Sequence, residues 1–359
     1  MKMLPEQLGF TLLTLPEGRA LVIAAAAAVA LMVALPPANV DRTTLLTWGA
    51  IAIVSMTAIA SVPTIDLAIL VALAIAVLQA AATGRRSFAA RMRAPALAIG
   101  LLALGVVLAR IQGPTILARF AAVALVAGIG AAVGTLPFIH EFDPDERTAT
   151  SPVPWLAFLG PALAVAVVSR AGELVPSAAG AFGAMLIGLG LLNIVWGSIA
   201  SWGTENGAAA WHYSFMADWG LALCGFGLAV ADGQRAAVLV LFGILVSRLP
   251  LYLWSRQALR EKMLDDRPVN LLAAAMLAGA APFAGFAARV LLLRGATEVY
   301  WPLALVIGLG LLLWLPSSLR LGRSLGLPRG RQAVGVGVAL GINVAIGVYP
   351  LPILALAGL

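Results

Sequence analysis

The sequence predicts an all-α, polytopic integral membrane protein with about twelve transmembrane helices. Hydrophobic residues make up 62% of its 359 residues, and charged residues make up only 11%. A soluble globular chain is nearer half apolar and about a quarter charged. Apolar runs of about 20 residues, the length that crosses the hydrocarbon core, recur along the whole chain. The composition therefore excludes a soluble enzyme and leaves little room for an extramembrane domain.

The apolar runs predict the individual spans in chain order. We expect a first segment, 1–19, to lie at the membrane interface, because its charges are mixed and its apolar residues can rest on the lipid surface. The remainder, 20–359, is predicted to form a single transmembrane domain. Its spans are predicted near 20–36, 43–62, 64–83, 94–111, 114–136, 152–169, 177–201, 208–231, 236–254, 269–293, 299–317 and 333–356.

The basic residues predict the orientation of the chain in the membrane. We expect them in short loops between the spans, and with this number of spans the three most basic loops fall on one side. Because Lys and Arg collect in cytoplasmic loops, both termini are expected on the non-cytoplasmic side of a bacterial-type inner membrane. The net charge of +7 is thus no sign of nucleic-acid binding. The three loops contain Arg85, Arg86, Arg91 and Arg93; Arg256, Arg260, Lys262 and Arg267; and Arg320, Arg323, Arg329 and Arg331.

Small residues and prolines within the spans indicate how the helices pack. Ala and Gly are frequent, for example in 180–190, and in lipid such residues let helix backbones approach closely. A densely packed bundle with partner subunits is therefore expected. Pro161 and Pro282 interrupt spans, which leaves open both a plain kink and a broken helix beside an ion path. The single cysteine, Cys224, is expected to be a small buried hydrophobic residue.

Four polar residues within or at the ends of the predicted spans are candidates for an ion path or for polar packing: Asp66, Asn193, His212 and Asp218. Ionisable groups are costly in hydrocarbon and often functional. For Asp218 the alternative is a carboxylate hydrogen-bonded near the interface, and for Asn193 it is an interhelical hydrogen bond. The other histidine, His140, lies in a loop, which argues against a bis-imidazole haem site.

The low lysine content limits the ways in which this chain can transfer protons. Only Lys2 and Lys262 are present, and both lie outside the predicted spans. A relay of buried lysines cannot be built from them, and arginine is a poor substitute because it stays charged. The sequence also shows no nucleophile–base set, metal cluster or phosphate loop. We therefore expect no catalytic residue, bound metal or bound cofactor in this chain, and no residue supports a quinone nearby.

The segment 136–155 reads LPFIHEFDPDERTATSPVPW. It resembles the signature of the antiporter-like membrane subunits of respiratory complex I, membrane-bound hydrogenases and Mrp-type cation/proton antiporters, which runs approximately LPFHxWLPDAHxxAPTPVSA. The middle of the segment departs from this signature, with Ile139, Glu141, Phe142 and Asp143 in place of the family's His, Trp, Leu and Pro. The matching positions are Leu136, Pro137, Phe138, Ala149, Pro152 and Val153.

Two later stretches follow in the order that the family shows. His212, Tyr213 and Ser214 look like the family's A-Y-S-S run. The stretch APFAGFAAR is similar to the family's P-P-x-A-G-F-x-x-K. In it, Pro282, Gly285 and Arg289 occupy motif positions. The resemblance covers roughly 114–323 and implies a bundle built from inverted repeats.

The departures from the family concern its proton-handling groups. Ala164 stands where the family has a buried lysine, and 205–209 reads ENGAA in place of a basic loop. The spans from 94 to 136 contain no acid where the family has a glutamate. The resemblance therefore implies a divergent, shortened member.

These losses favour one function and leave two alternatives. The favoured interpretation is a non-pumping structural or coupling subunit that packs against other membrane subunits of a complex I-like or hydrogenase-like assembly. The first alternative is an active proton or cation translocator that uses divergent groups such as Asp66, Asn193 and Asp218. The second is the membrane subunit of a bicarbonate or CO2 uptake system.

Overall fold

The computed structural model describes residues 16–35, 42–81, 85–111, 115–139, 159–255, 267–325 and 330–359, and in these ranges the regular structure is entirely helical. The predicted all-α class is confirmed. The α-helices are α1 Pro16–Ala34, α2 Arg42–Ser61, α3 Ile65–Ala81, α4 Arg85–Arg110, α5 Thr115–Val133, α6 Gly160–Leu174, α7 Ala179–Gly203, α8 Gly207–Gly227, α9 Ala231–Gly243, α10 Leu249–Ser255, α11 Pro268–Ala278, α12 Ala284–Arg323, α13 Arg331–Val348 and α14 Leu351–Leu356.

The predicted count of about twelve spans is too high. Within the described ranges, five helices are long and apolar enough to cross a membrane, and shorter apolar helices accompany them. The long helices comprise Phe88–Arg110, Ile116–Val133, Pro176–Gly203, Ala231–Trp254 and Ala284–Arg323. The shorter ones comprise Gly18–Ala34, Leu45–Ser61, Ile65–Ala81, Pro268–Ala278 and Ala333–Val348.

Two features explain the lower count. The predicted span 269–293 is split between α11 and α12, and its second half runs on into the predicted span 299–317. The second half of 269–293 and the span 299–317 thus belong to one 40-residue helix, α12, whose backbone is non-helical only at Tyr300. Of the predicted span 152–169, the structure describes 159–169, which belong to the helix α6. The predicted span 208–231 corresponds to the more polar helix α8. Neither helix is among the long apolar helices of the described ranges.

The same short pattern, Gly-x-x-Pro-Phe, follows two of the helices. Gly134–Phe138 follows α5, and Gly279–Phe283 follows α11. In both, the glycine has a positive φ, 69° and 65°, and the proline follows a cis peptide bond. Glycine tolerates this left-handed backbone, which ends a helix and satisfies its last carbonyl groups. The chain therefore contains two helix breaks of matching local geometry.

The helix α9 and its continuation form the centre of the bundle. α9 runs through a π-helical turn, Ile244–Arg248, directly into α10. Of the most apolar stretch of Ala231–Trp254, 89% is buried, and α9 packs against α8, α12 and α1. A helix that is apolar on all sides belongs inside a bundle. The π-helical turn thus lies in the protein interior.

Close packing through small residues joins α7 to α8. A methyl group added at Gly190 would lie 2.6 Å from the carbonyl oxygen of Gly220 and 2.6 Å from the Sγ of Cys224. At Gly220 it would lie 2.5 Å from the carbonyl oxygen of Gly190. The two backbones are therefore in direct contact, as small residues permit in lipid. Cys224 is fully buried in this contact.

The N-terminal prediction falls mostly outside the described residues. α1 begins at Pro16, within the predicted interfacial segment 1–19, and residues 1–15 are not described. The division between 1–19 and 20–359 stays a prediction. The loop that contains Lys262 also lies outside the described residues, as do His140 and Pro152.

Candidate functional site

A buried ion pair lies at the centre of the bundle. Asp218, on α8, is 7% exposed, and Arg248, the last residue of the π-helical turn, is 5% exposed. The Nε of Arg248 pairs with Oδ2 of Asp218. Its Nη1 donates to the hydroxyl of Ser214, one turn earlier on α8. A buried ion pair requires such additional hydrogen bonds to offset the loss of water from both charges.

The same guanidinium reaches the helix break after α11. Nη2 of Arg248 donates to the carbonyl oxygen of Leu277 at 3.0 Å, and Nε1 of Trp314 donates to the same oxygen at 3.1 Å. The last carbonyl groups of a helix lack partners within the helix, and their partial negative charge favours a cation. Arg248 also lies 4.7 Å from the centre of the Trp314 ring. It therefore ties α8, α11 and α12 together.

A second arginine, Arg289 on α12, lies beside this centre. Its guanidinium carbon is 5.6 Å from the centre of the Trp314 ring, and its planar group rests on the backbone of Gly279. The resemblance places Arg289 at a basic motif position. The two neighbouring motif residues are Pro282, which is exposed, and Gly285, whose added methyl group would lie 3.0 Å from the Cα of Gly279.

A cavity of about 50 Å³ borders these groups. Its wall includes Asp218, Arg248 and Arg289, together with Asn343 on α13 and Ser247 in the π-helical turn. The Nδ2 of Asn343 donates to the hydroxyl of Ser247 and to the carbonyl oxygen of Ala339 at 3.0 Å. A polar cavity of this size has room for a few water-sized molecules.

Asn193 lies at the other helix break. It is fully buried on α7, its Oδ1 accepts from the backbone N–H of Leu136 at 2.8 Å, and its Nδ2 donates to the carbonyl oxygen of Leu189 at 2.8 Å. Leu136 immediately precedes the motif residues Pro137 and Phe138. The hydrogen bond therefore joins α7 to the segment after α5 and holds the break in place.

The structure does not bring the four predicted polar residues together. Asp66 lies in the first turn of α3 and pairs with Arg110 at the end of α4, where both side chains are partly exposed. His212 is buried on α8, with its ring 5.9 Å from that of Tyr213. Of the four, Asp218 alone is in the wall of the cavity. An ion-path role for any of them stays a prediction.

Sequence reasoning missed Arg248. The basic residues were expected in loops between the spans, yet Arg248 lies in the most buried helix of the bundle. A signal was present, because an arginine inside a long apolar run is an intramembrane ionisable residue whose partner should be sought among the acids of other spans. That search gives Asp218. The interior therefore contains more charge than the predicted placement of basic residues in loops allows.

The described ranges contain no group of three or more His, Cys, Asp and Glu side chains placed to hold a metal ion. The polar atoms at the centre belong instead to guanidinium, carboxylate, hydroxyl and amide groups. Such a set can pair charges, order water or hold a small ion. It contains no nucleophile activated by a neighbouring base.

Comparison of the sequence with protein-family models gives no match, and comparison with curated proteins gives none either. Solved structures do match. A chain in the structure of the Mrp complex from Dietzia sp. DQ12-45-1b gives a TM-score of 0.74 at 14% identity, over 96% of this chain and 44% of that chain.

Two further structures agree with this match. A chain of respiratory complex I from Thermus thermophilus with bound NADH gives a TM-score of 0.71 at 14% identity, over 95% of this chain and 84% of that one. A chain of the membrane-bound sulfane sulfur reductase, an archaeal respiratory membrane complex, gives 0.73 at 17% identity, over 95% and 81%. At these identities the likeness establishes the fold, and it confirms the fold that the sequence resemblance implies. The protein is a multi-pass membrane protein with the fold of these chains, and it spans 44% of the length of the matched Mrp chain.

Proposed function

We propose that this chain is a non-pumping, antiporter-like subunit. The proposal starts from the fold that the chain shares with chains of an Mrp complex, a respiratory complex I and a membrane-bound sulfane sulfur reductase. The chain packs against other membrane subunits of a larger complex and couples or supports them without chemistry of its own. It lies in a bacterial-type inner membrane with both termini on the non-cytoplasmic side.

The charged centre is the observation that supports this proposal. A group that carries protons must change its charge during the cycle. Here the buried carboxylate of Asp218 is paired with Arg248, and arginine keeps its proton under all relevant conditions. At the position of the family's buried lysine, Ala164 is buried and has no titratable group. The centre therefore resembles a fixed structural connection between helices.

Proton uptake into vesicles tests the proposal. Inverted membrane vesicles containing the assembled complex are compared between the wild type and the double variant Asp218→Asn/Arg248→Gln, which removes both central charges together. Uptake is followed with a pH-sensitive dye and normalised to the amount of complex. We expect uptake per complex to be unchanged, because neither group carries the transferred proton.

The matched control is Asp66→Asn, which removes the carboxylate of the partly exposed pair with Arg110 and should leave both assembly and uptake unchanged. Assembly of each variant is measured by native gel electrophoresis. If the double variant assembles normally but loses most of its uptake, the non-pumping proposal is wrong.

Affinity purification tests the partner component. A tagged chain, extracted in mild detergent, should bring other multi-pass membrane subunits with it in fixed ratio. A chain that migrates alone under several mild detergents, and that reaches full abundance when expressed by itself, would contradict the role as a subunit.

Translocation of protons or cations by this chain is the second candidate, and the cavity beside Asp218 favours it. The cavity adjoins the break after α11, and discontinuous helices often line ion paths in transporters. On this alternative, Asp218→Asn alone should abolish uptake in complexes that still assemble, and a loss of uptake in Asp66→Asn would place Asp66 on the same path. The same vesicle assay therefore separates the two candidates.

A further inference from the structure

The charges around the central cavity do not balance. Its wall contains the guanidinium groups of Arg248 and Arg289 but, among the described residues, the single carboxylate of Asp218. Arg248 uses that carboxylate, together with Ser214 and the carbonyl oxygen of Leu277. The second guanidinium therefore leaves an excess positive charge at the cavity.

Arg289 has no ionic partner within the described ranges of the chain. Its recorded contacts there are the face of the Trp314 ring, at 5.6 Å, and the backbone of Gly279. Neither contact uses the hydrogen-bonding capacity of the guanidinium, which has five N–H donors. Since arginine keeps its proton, this partly exposed charge still attracts an anion.

A second donor borders the cavity. Ser247 is buried, and its hydroxyl oxygen accepts a hydrogen bond from Nδ2 of Asn343. A hydroxyl that accepts at its oxygen still has its own hydrogen to donate. Within the described part of the chain, the structure shows no acceptor for that hydrogen. The wall therefore contains two kinds of hydrogen-bond donor, the charged guanidinium of Arg289 and the neutral hydroxyl of Ser247.

We propose that this cavity binds one small monovalent inorganic anion, such as chloride or bicarbonate, with Arg289 and Ser247 as its donors. The anion neutralises the excess charge, while Asp218 stays paired with Arg248. A volume of about 50 Å³ suits a compact ion and is small for a lipid head group. This inference does not depend on whether the protein translocates protons.

Equilibrium binding of radioactive chloride tests the proposal on the full chain in nanodiscs of neutral lipid. We expect one saturable site per chain. Arg289→Gln should weaken binding about tenfold or more, because it removes a charge-assisted hydrogen bond. Ser247→Ala, which keeps the charge, should weaken binding by a smaller factor. Competition with bicarbonate shows which of the two anions the site prefers.

The matched control is Arg110→Gln, which should leave binding intact. Arg110 is an exposed arginine that pairs with Asp66 and is not in the wall of the cavity. A second readout is thermal unfolding, because a ligand that binds the folded state raises the melting temperature with its concentration. Chloride, compared with gluconate, should raise it in the wild type and not in Arg289→Gln. This comparison holds even if that variant is less stable in both salts.

Three results would overturn the proposal. One is a wild-type chain without saturable binding, and another is an Arg289→Gln variant that binds as tightly as the wild type. The third is a partner carboxylate that occupies the cavity in the assembled complex and excludes chloride from it.

Discussion

Asp218 and Arg248 place two opposite charges in the buried interior of the bundle. Each is almost fully buried, and the guanidinium is held by an ion pair and two further hydrogen bonds. In such a site the cost of desolvation is offset only while both partners are present. The two residues should therefore behave as a unit when they are mutated.

Replacement of Arg248 alone should be strongly destabilising. Arg248→Met leaves the buried carboxylate of Asp218 without the guanidinium that pairs with it, and the free energy of unfolding should fall by about 3–5 kcal/mol. Adding Asp218→Asn to it should restore much of this loss, because the residue that has lost its ionic partner is then neutral. Denaturant titrations of the purified chain in mild detergent measure both effects.

The control for this cycle is the pair of Asp66 and Arg110. Its arginine side chain is 65% exposed, and removal of an exposed ion pair by Arg110→Met should change stability by only about 0–1 kcal/mol. If the double variant at the centre is no more stable than Arg248→Met, the ion pair is not the reason for the destabilisation.

At the scale of secondary-structure elements, the contact between α7 and α8 depends on backbone proximity. Gly190 and Gly220 face each other across it, and neither has room for a methyl group. Gly188, on the same helix as Gly190, has no heavy atom within 4 Å of where its methyl group would be. One helix therefore contains a restrictive glycine and a permissive one two positions apart.

These two glycines make a direct comparison. Gly190→Ala should push α7 away from α8 and destabilise the protein by about 1–3 kcal/mol, as overpacking does. Gly188→Ala should be neutral or slightly stabilising, because alanine forms helix better than glycine. Melting temperatures in detergent report both. Equal effects of the two substitutions would show that helix proximity is not what restricts position 190.

Hydropathy predicted α5 and α7 to within a few residues, since both are continuous apolar runs. It did not predict the end of α11, because 269–293 is apolar on both sides of the break and hydropathy does not register the positive φ of Gly279. The repeated Gly-x-x-Pro-Phe pattern was the available signal. At the site, Asp218 was predicted but Arg248 was not, since their proximity depends on how α8 packs on α9.

At the scale of the whole molecule, large apolar side chains cover much of the outer surface. Val54 is 68% exposed and Leu309 is 64% exposed, values that suit contact with lipid chains. The apolar stretch of α4 lies between Arg93, in the first half of the helix, and Arg110 at its end. The stretch between these two arginines rises by about 26 Å, close to the hydrocarbon thickness of about 30 Å.

This helix tests the predicted orientation. In a Cys224→Ala background, Arg110→Cys should react in intact cells with a membrane-impermeant thiol reagent, because the positive-inside rule places that end outside. Arg93→Cys, on the same helix, should react only after the cells are permeabilised. The reverse pattern would invert the predicted topology and place both termini in the cytoplasm.

The π-helical turn Ile244–Arg248 also determines where the chain can lose a residue without a change in the direction of the helix that follows. Each residue of an α-helix advances the side-chain direction by about 100°, and a π-helical turn accommodates one residue more than an α-helical turn. Deleting one of these five residues would convert the turn to regular helix and leave the direction of all that follows nearly unchanged. Trp254, whose Nε1 donates to the carbonyl oxygen of Leu35 at 3.0 Å, would then still face Leu35. A one-residue deletion here should therefore preserve a contact some two turns downstream, which the same deletion in a regular α-helix would break.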